Sequence, residues 1–98
     1  MRMMMKVTIP VEAGNKAFKD GSLARVLQGT AERLKPEASY FVTDAGERSA
    51  LCFFDMQDSS QIPGIAEPLF TGLGAAVTLS PVMNADDLHK GIAAAMSS

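Results

Sequence analysis

The apolar residues of this chain repeatedly change period, and that succession limits the folds open to it more than any single motif does. Met3, Met5, Val7, Ile9 and Val11 fall on one face of an extended run while Lys6, Thr8 and Glu12 fall on the other, the period of two expected of a strand with one side against a core. Pro10 cannot donate to a ladder, so it belongs at the strand's end or at a bulge, and Gly14-Asn15 breaks the run. From about Phe18 the period becomes helical. Leu23, Val26, Leu27, Ala31 and Leu34 form one stripe, with Arg25, Gln28, Glu32 and Lys35 turned outward. Ser22 is a possible N-cap unless the helix begins earlier, and Pro36 closes it by pushing Lys35 out of the helical region.

Residues Ala38 to Thr43 and Ser49 to Met56 then read as two strands. They are rich in aromatic and β-branched side chains and are joined by a short turn in which Gly46 supplies the left-handed position. Leu51 and Phe53 on one side, with Cys52 and Phe54 on the other, make the second of them apolar on both faces, as in a covered central strand. Ile62, Ile65, Ala66, Leu69, Phe70 and Leu73 form a second helical stripe after the capping residues Asp58-Ser59-Ser60, and Pro68 predicts a kink or two short pieces. Ala75 to Val82 reads as a last strand, with Val77 and Leu79 opposite Thr78 and Ser80, and Pro81 suits an edge. Asn84 and the acidic pair Asp86-Asp87 begin a short terminal helix.

This βαββαβ order predicts an α+β, ferredoxin-like fold over residues 1–98 as a single domain: a four-stranded antiparallel sheet with two helices on one face, plus the terminal helix. Right-handed connections give the strand order 4-1-3-2. Two helices cover one face only. The other should carry Lys6, Thr8, Thr78 and Ser80 beside apolar groups of the third strand. At 47 % hydrophobic residues the chain is apolar for a small monomer, so a second copy is expected to stack on that face as a homodimer and could enclose a cavity there. Tyr40 falls on the same face or in the core, because the register of a short strand is not fixed by sequence.

Composition and missing motifs narrow the chemistry. Nine basic against eleven acidic residues give a net charge of −2, no cationic field for nucleic acid. No run approaches the length of a membrane span or a signal peptide's apolar region, so the cytoplasm is the expected compartment. The single cysteine, Cys52, excludes an internal disulfide and reads as core, and the single histidine, His89, reads as an exposed helix residue without a second ligand. Asp55 and Asp58 could hold a cation, but capping and solvation explain them as well; Arg48 could contact an anion or be a hairpin surface charge. No metal and no cofactor is expected: phosphate-binding glycine loops, CxxC pairs and base-stacking aromatic motifs are all missing.

The segments Ile62-Pro63-Gly64-Ile65-Ala66-Glu67-Pro68-Leu69-Phe70, Ala76-Val77 and Pro81-Val82-Met83-Asn84-Ala85-Asp86-Asp87-Leu88 resemble a family of small uncharacterised bacterial proteins in the dimeric α+β barrel superfamily. The resemblance covers the C-terminal half and, in the first half, the pattern alone. It implies a ferredoxin-like protomer whose sheet packs on a partner's sheet, in a superfamily that includes cofactor-free monooxygenases, haem-degrading enzymes and lactone isomerases. This chain departs from the monooxygenase pattern in having no Trp and its only His in the terminal helix, and no catalytic residue carries over.

The leading expectation is a homodimeric module that binds a small molecule or another partner without a catalytic centre, with Lys6, Thr8, Tyr40, Thr78 and Ser80 as the binding candidates. The competing one is a small cofactor-independent enzyme, monooxygenase- or isomerase-like, acting on an apolar metabolite between sheet and helices, with Lys6 and Tyr40 polarising or protonating it. An amino-acid-binding regulatory domain shares the element order, but such domains normally accompany a catalytic one.

Overall fold

In the computed structural model, which describes residues 1–97, the first strand, β1 (Arg2–Ile9), alternates half-buried and buried residues along its whole length. Met3, Met5, Val7 and Ile9 are the buried set. The strand stops there because Pro10 can start a helix but cannot continue a ladder. Pro10 caps α1 (Val11–Asp20), so Val11 lies in a helix and is exposed, and Gly14-Asn15 lies within that helix rather than breaking the chain. The break comes at Gly21, whose φ of 82° lies in the left-handed region that glycine enters without a Cβ penalty. Beyond it α2 (Ser22–Leu34) runs to Lys35. The expected single helix is thus two, because the glycine that ends a helix is the one with positive φ and not the one nearest the strand.

Leu23, Val26, Leu27 and Leu34 of α2 pack on the core as the helical period predicts, whereas Ala31 stays exposed. β2 (Ala38–Asp44) and β3 (Glu47–Asp55) form a hairpin whose strand ends, Asp44 and Glu47, pair across a two-residue loop. Ala45 and Gly46 both have positive φ, 52° and 80°, the type I′ geometry that matches strand twist. Alanine is poorly suited to the first position. Ala45→Asn, a residue that tolerates the left-handed region, is expected to raise stability by about 0.5–1 kcal/mol, read as a rise of a few degrees in melting temperature.

Asp58 accepts from the Ser60 backbone N–H and opens a 3-10 turn at Ser59–Gln61, which passes directly into α3 (Ile62–Leu73). Two pieces are therefore present, but the junction precedes Pro63. α3 runs unbroken through Pro68. The bond that Pro68 cannot make would fall on the Gly64 carbonyl, and Gly64 is exposed, so water can take the donor's place. Burial of Ile65, Ala66, Leu69 and Leu73 holds the helix down, each large apolar side chain contributing roughly 1.5–3 kcal/mol. Ile62 and Phe70, expected in that stripe, are turned to solvent.

β4 (Ala76–Pro81) completes a four-stranded sheet in the order β2-β3-β1-β4 with every neighbour antiparallel. That order and pairing are those of a ferredoxin-like α+β fold. The strand containing Pro81 lies at an edge, where a missing donor costs no ladder bond. α1, α2 and α3 gather on one face over Met5, Val7 and Phe54. α4 (Ala85–Met96), capped by Asn84 in a reciprocal box with Asp87, has no buried residue. It accounts for an elongated molecule of 55 × 28 × 18 Å and a radius of gyration of 15.7 Å, against about 13 Å for a compact chain of this length.

Candidate functional site

The register decides which side chains share a face. Tyr40 pairs with Leu51, Leu51 with Lys6 and Lys6 with Thr78, so these four form one straight row across the side of the sheet away from the helices. The next row runs Val42, Ser49, Thr8, Ala76, and the one on the other side Ala38, Phe53, Met4, Ser80. All five residues singled out from sequence, Lys6, Thr8, Tyr40, Thr78 and Ser80, therefore lie on one face, and the two-residue turn fixes the Tyr40 register that sequence left open.

That face mixes chemistries. Tyr40 is 60 % exposed and Val42 44 %, beside half-buried Met4, Leu51 and Phe53. Lys6 is not a free cation: its Nζ donates to the Asp44 carboxylate at the end of β2. At the opposite end of the face, Arg2 donates to Glu37 at 2.8 Å and reaches Asp87 in the first turn of α4 at 3.4 Å. Glu37 is the main cause that holds the Arg2 guanidinium above its ordinary pKa.

The concave apolar space lies on the other side of the sheet. β2 is an edge strand that the helices leave uncovered, and Phe41, on its helix-facing side, is 68 % exposed. Between α2 and the hairpin this leaves a groove of about 390 Å3 walled by Ile9, Leu23, Leu27, Phe41 and Ala50. A deeper pocket of about 40 Å3 shares Leu27, Phe41 and Ala50 and reaches Thr30, Ser39 and Cys52. The larger volume is that of an ordinary small-molecule site. Lys6 and Tyr40 cannot act in this space, as the enzymatic expectation required, because the strand pleat points them to the opposite face.

The groups that do reach the groove are mild. Thr30 donates its hydroxyl to the Val26 carbonyl at 2.9 Å. Burial pushes the Cys52 thiol up, with the Ser39 hydroxyl pulling partly the other way, so it is a protonated apolar wall rather than a thiolate nucleophile. The single strong charge lining the groove is Arg48, half-buried on β3 at the hairpin end of the ladder, opposite Thr43 and Ile9. Its Nη2 donates to Asn15 Oδ1 of α1 at 3.1 Å. Sequence reading left Arg48 as a surface charge or an anion contact; the signal that places it is Gly14, where an added Cβ would stand 2.5 Å from Arg48 Nη1.

The acidic candidates have structural roles. Hydrogen bonds from the Ser60 hydroxyl and backbone N–H hold Asp58 below the usual carboxylate range, as a helix-capping residue requires. Asp55 takes a hydrogen bond from Gln57 at 3.0 Å. His89 is exposed on α4. Among the described residues no three His, Cys, Asp or Glu side chains gather as metal ligands would, and no helix is long and apolar enough to cross a membrane.

No protein-family model and no curated protein matches the chain. Among solved structures it is similar to a crystal structure described as a candidate antibiotic biosynthesis monooxygenase from Deinococcus radiodurans. The two are 13 % identical over 87 % of this chain and 95 % of that one, with a TM-score of 0.45.

Proposed function

We propose that the protein is a cytoplasmic homodimeric module that binds small apolar molecules, with the groove between α2 and the β2–β3 hairpin as the ligand seat. The observation that carries this reading is the groove itself: about 390 Å3 walled mainly by apolar side chains, and left open because the edge strand β2 is not covered by a helix. Leaving Phe41 68 % exposed is unfavourable in water unless something covers it. A groove without an acid or base poised near neutrality supports binding better than proton-transfer catalysis.

Dimerisation accounts for the other face. In projection, four strands at about 4.8 Å spacing and some seven residues long present roughly 450 Å2, short of the ~800 Å2 per partner of a stable interface. α4 supplies more. Arg2 ties it to the margin of the same face through Asp87, and it carries Leu88, Ile92 and Met96 exposed at helical spacing over a length of about 18 Å. A twin seated on the sheet would cover the arm's apolar stripe in continuity. Thr8, Thr78 and Ser80 then serve as hydrogen-bonding groups within that contact.

The test of the ligand seat is fluorescence of the neutral probe N-phenyl-1-naphthylamine with the full chain. Binding in the micromolar range is expected, and Leu27→Trp, which fills the groove at an overpacking cost of about 1–3 kcal/mol, should abolish it while the protein still melts cooperatively. Unchanged binding by the Trp variant, or none by the original chain, would sink the reading.

A further inference from the structure

Resting on the groove as the ligand seat, we infer that its ligand is an amphipathic monoanion, an apolar body ending in a carboxylate or similar group that meets Arg48. The argument is charge complementarity at a built position. Arg48 lines the groove with Leu23, Phe41 and Ala50 and stands at the hairpin end of the ladder, opposite Thr43 and Ile9. Among the described residues it takes part in no ion pair: the cations in those pairs are the chain's amino terminus, Arg2 and Lys6. Among the described residues its guanidinium donates only to the neutral side-chain carbonyl of Asn15, at 3.1 Å. A guanidinium has five N–H donors in a rigid fork. One is used on Asn15, so others remain for a bidentate anion.

The seat is shaped by α1. Gly14 and Asn15 are adjacent on that helix, and both serve the arginine: Asn15 accepts from Nη2, and the missing side chain of Gly14 gives Nη1 room against the helix. Glycine costs an interior helical position about 1 kcal/mol relative to alanine, so its placement opposite the guanidinium is a local sacrifice that the close approach explains. A cation held by a neutral amide in the wall of an apolar trough fits an acid with an apolar body. A neutral hydrocarbon would leave the guanidinium desolvated without a partner, and a polyanion such as a nucleotide would find a single cation and apolar walls.

The shared chemistry covers fatty acids and aromatic acids, and the experiment separates them. Bound N-phenyl-1-naphthylamine is displaced from the full chain at pH 7 by decanoate or decanol, and by 1-naphthoate or 1-naphthol. Each acid is expected to compete at a concentration about tenfold or more below its neutral counterpart if its body fits, since a charge-assisted pair is the stronger bond. An advantage for decanoate alone assigns an aliphatic ligand, and for naphthoate alone an aromatic one. Arg48→Met, which keeps the stem, should remove the acid's advantage and leave the neutral compound's competition unchanged. Gly14→Ala, which must displace the guanidinium, should act in the same direction, and Arg48→Lys should retain part of the advantage. Neutral compounds competing as well as both acids, or acids unaffected by Arg48→Met, overturn the inference while the apolar seat stands. A probe that does not bind at all overturns both.

Discussion

Phe54→Ala is expected to cost about 3–5 kcal/mol, while Phe53→Ala, one residue away, should cost an isolated protomer far less. Phe54 is 1 % exposed and points into the layer between sheet and helices, against Met3 across the ladder, so its removal leaves a cavity that rigid neighbours cannot fill. In a domain of this size total stability is on the order of 5–15 kcal/mol. At roughly 4–8 °C per kcal/mol the melting temperature should fall by more than about 12 °C; Phe54→Leu provides the milder measurement if the alanine variant does not fold. Phe53 is half-buried on the open face beside Met4. Its loss should appear as a weaker dependence of melting temperature on protein concentration, because anything that binds only the folded state adds stability by mass action. Equal, concentration-independent losses for the two variants would contradict the assignment of faces.

That contrast between neighbours was legible in sequence because a strand's period is two and cannot drift. The alternation in β1 and the two-sided apolar pattern of β3 identified the strands, and right-handed connections with Pro81 at an edge gave their order. What sequence did not yield are features whose cause lies elsewhere in space. Gly14 looked like a breaker next to Pro10, and only the arrival of Arg48 from β3 explains a glycine inside a helix. Pro68 looked like a kink or a break into two pieces, yet its lost bond falls on Gly64, an exposed residue, while Leu69 is fully buried beside it. Ile62 and Phe70 fit the helical stripe by spacing but are exposed, Ile62 as the first residue of α3. For the site, sequence placed Lys6, Thr8, Thr78 and Ser80 on one face, since alternate positions share a side, and left Tyr40 open between that face and the core. It offered a space between sheet and helices only with Lys6 and Tyr40 in it and did not locate the groove beside β2, because how far a helix layer covers an edge strand is a tertiary quantity. It also missed the Lys6–Asp44 contact, which crosses from one strand to the end of another and has no counterpart in spacing.

The double variant Tyr40→Glu, Thr78→Glu is expected to convert a dimer of twice 10.4 kDa into monomers while leaving the fold intact. The two residues stand at opposite ends of one cross-strand row and are exposed in the protomer, so a carboxylate at either costs little there. Between stacked sheets the same groups would be desolvated. In a two-fold contact each substitution is present twice, which places four new charges in the interface. At several kcal/mol for each unpaired buried ion, even partial neutralisation by Lys6, already engaged by Asp44, leaves the dissociation constant raised by more than about a thousandfold. Light scattering on a sizing column reads the mass directly. Because neither side chain lines the groove, probe binding should persist in the monomer, separating loss of the contact from loss of the seat. A double variant that keeps the dimer mass, or an original chain that is monomeric at micromolar concentration, would leave the open face without its proposed occupant.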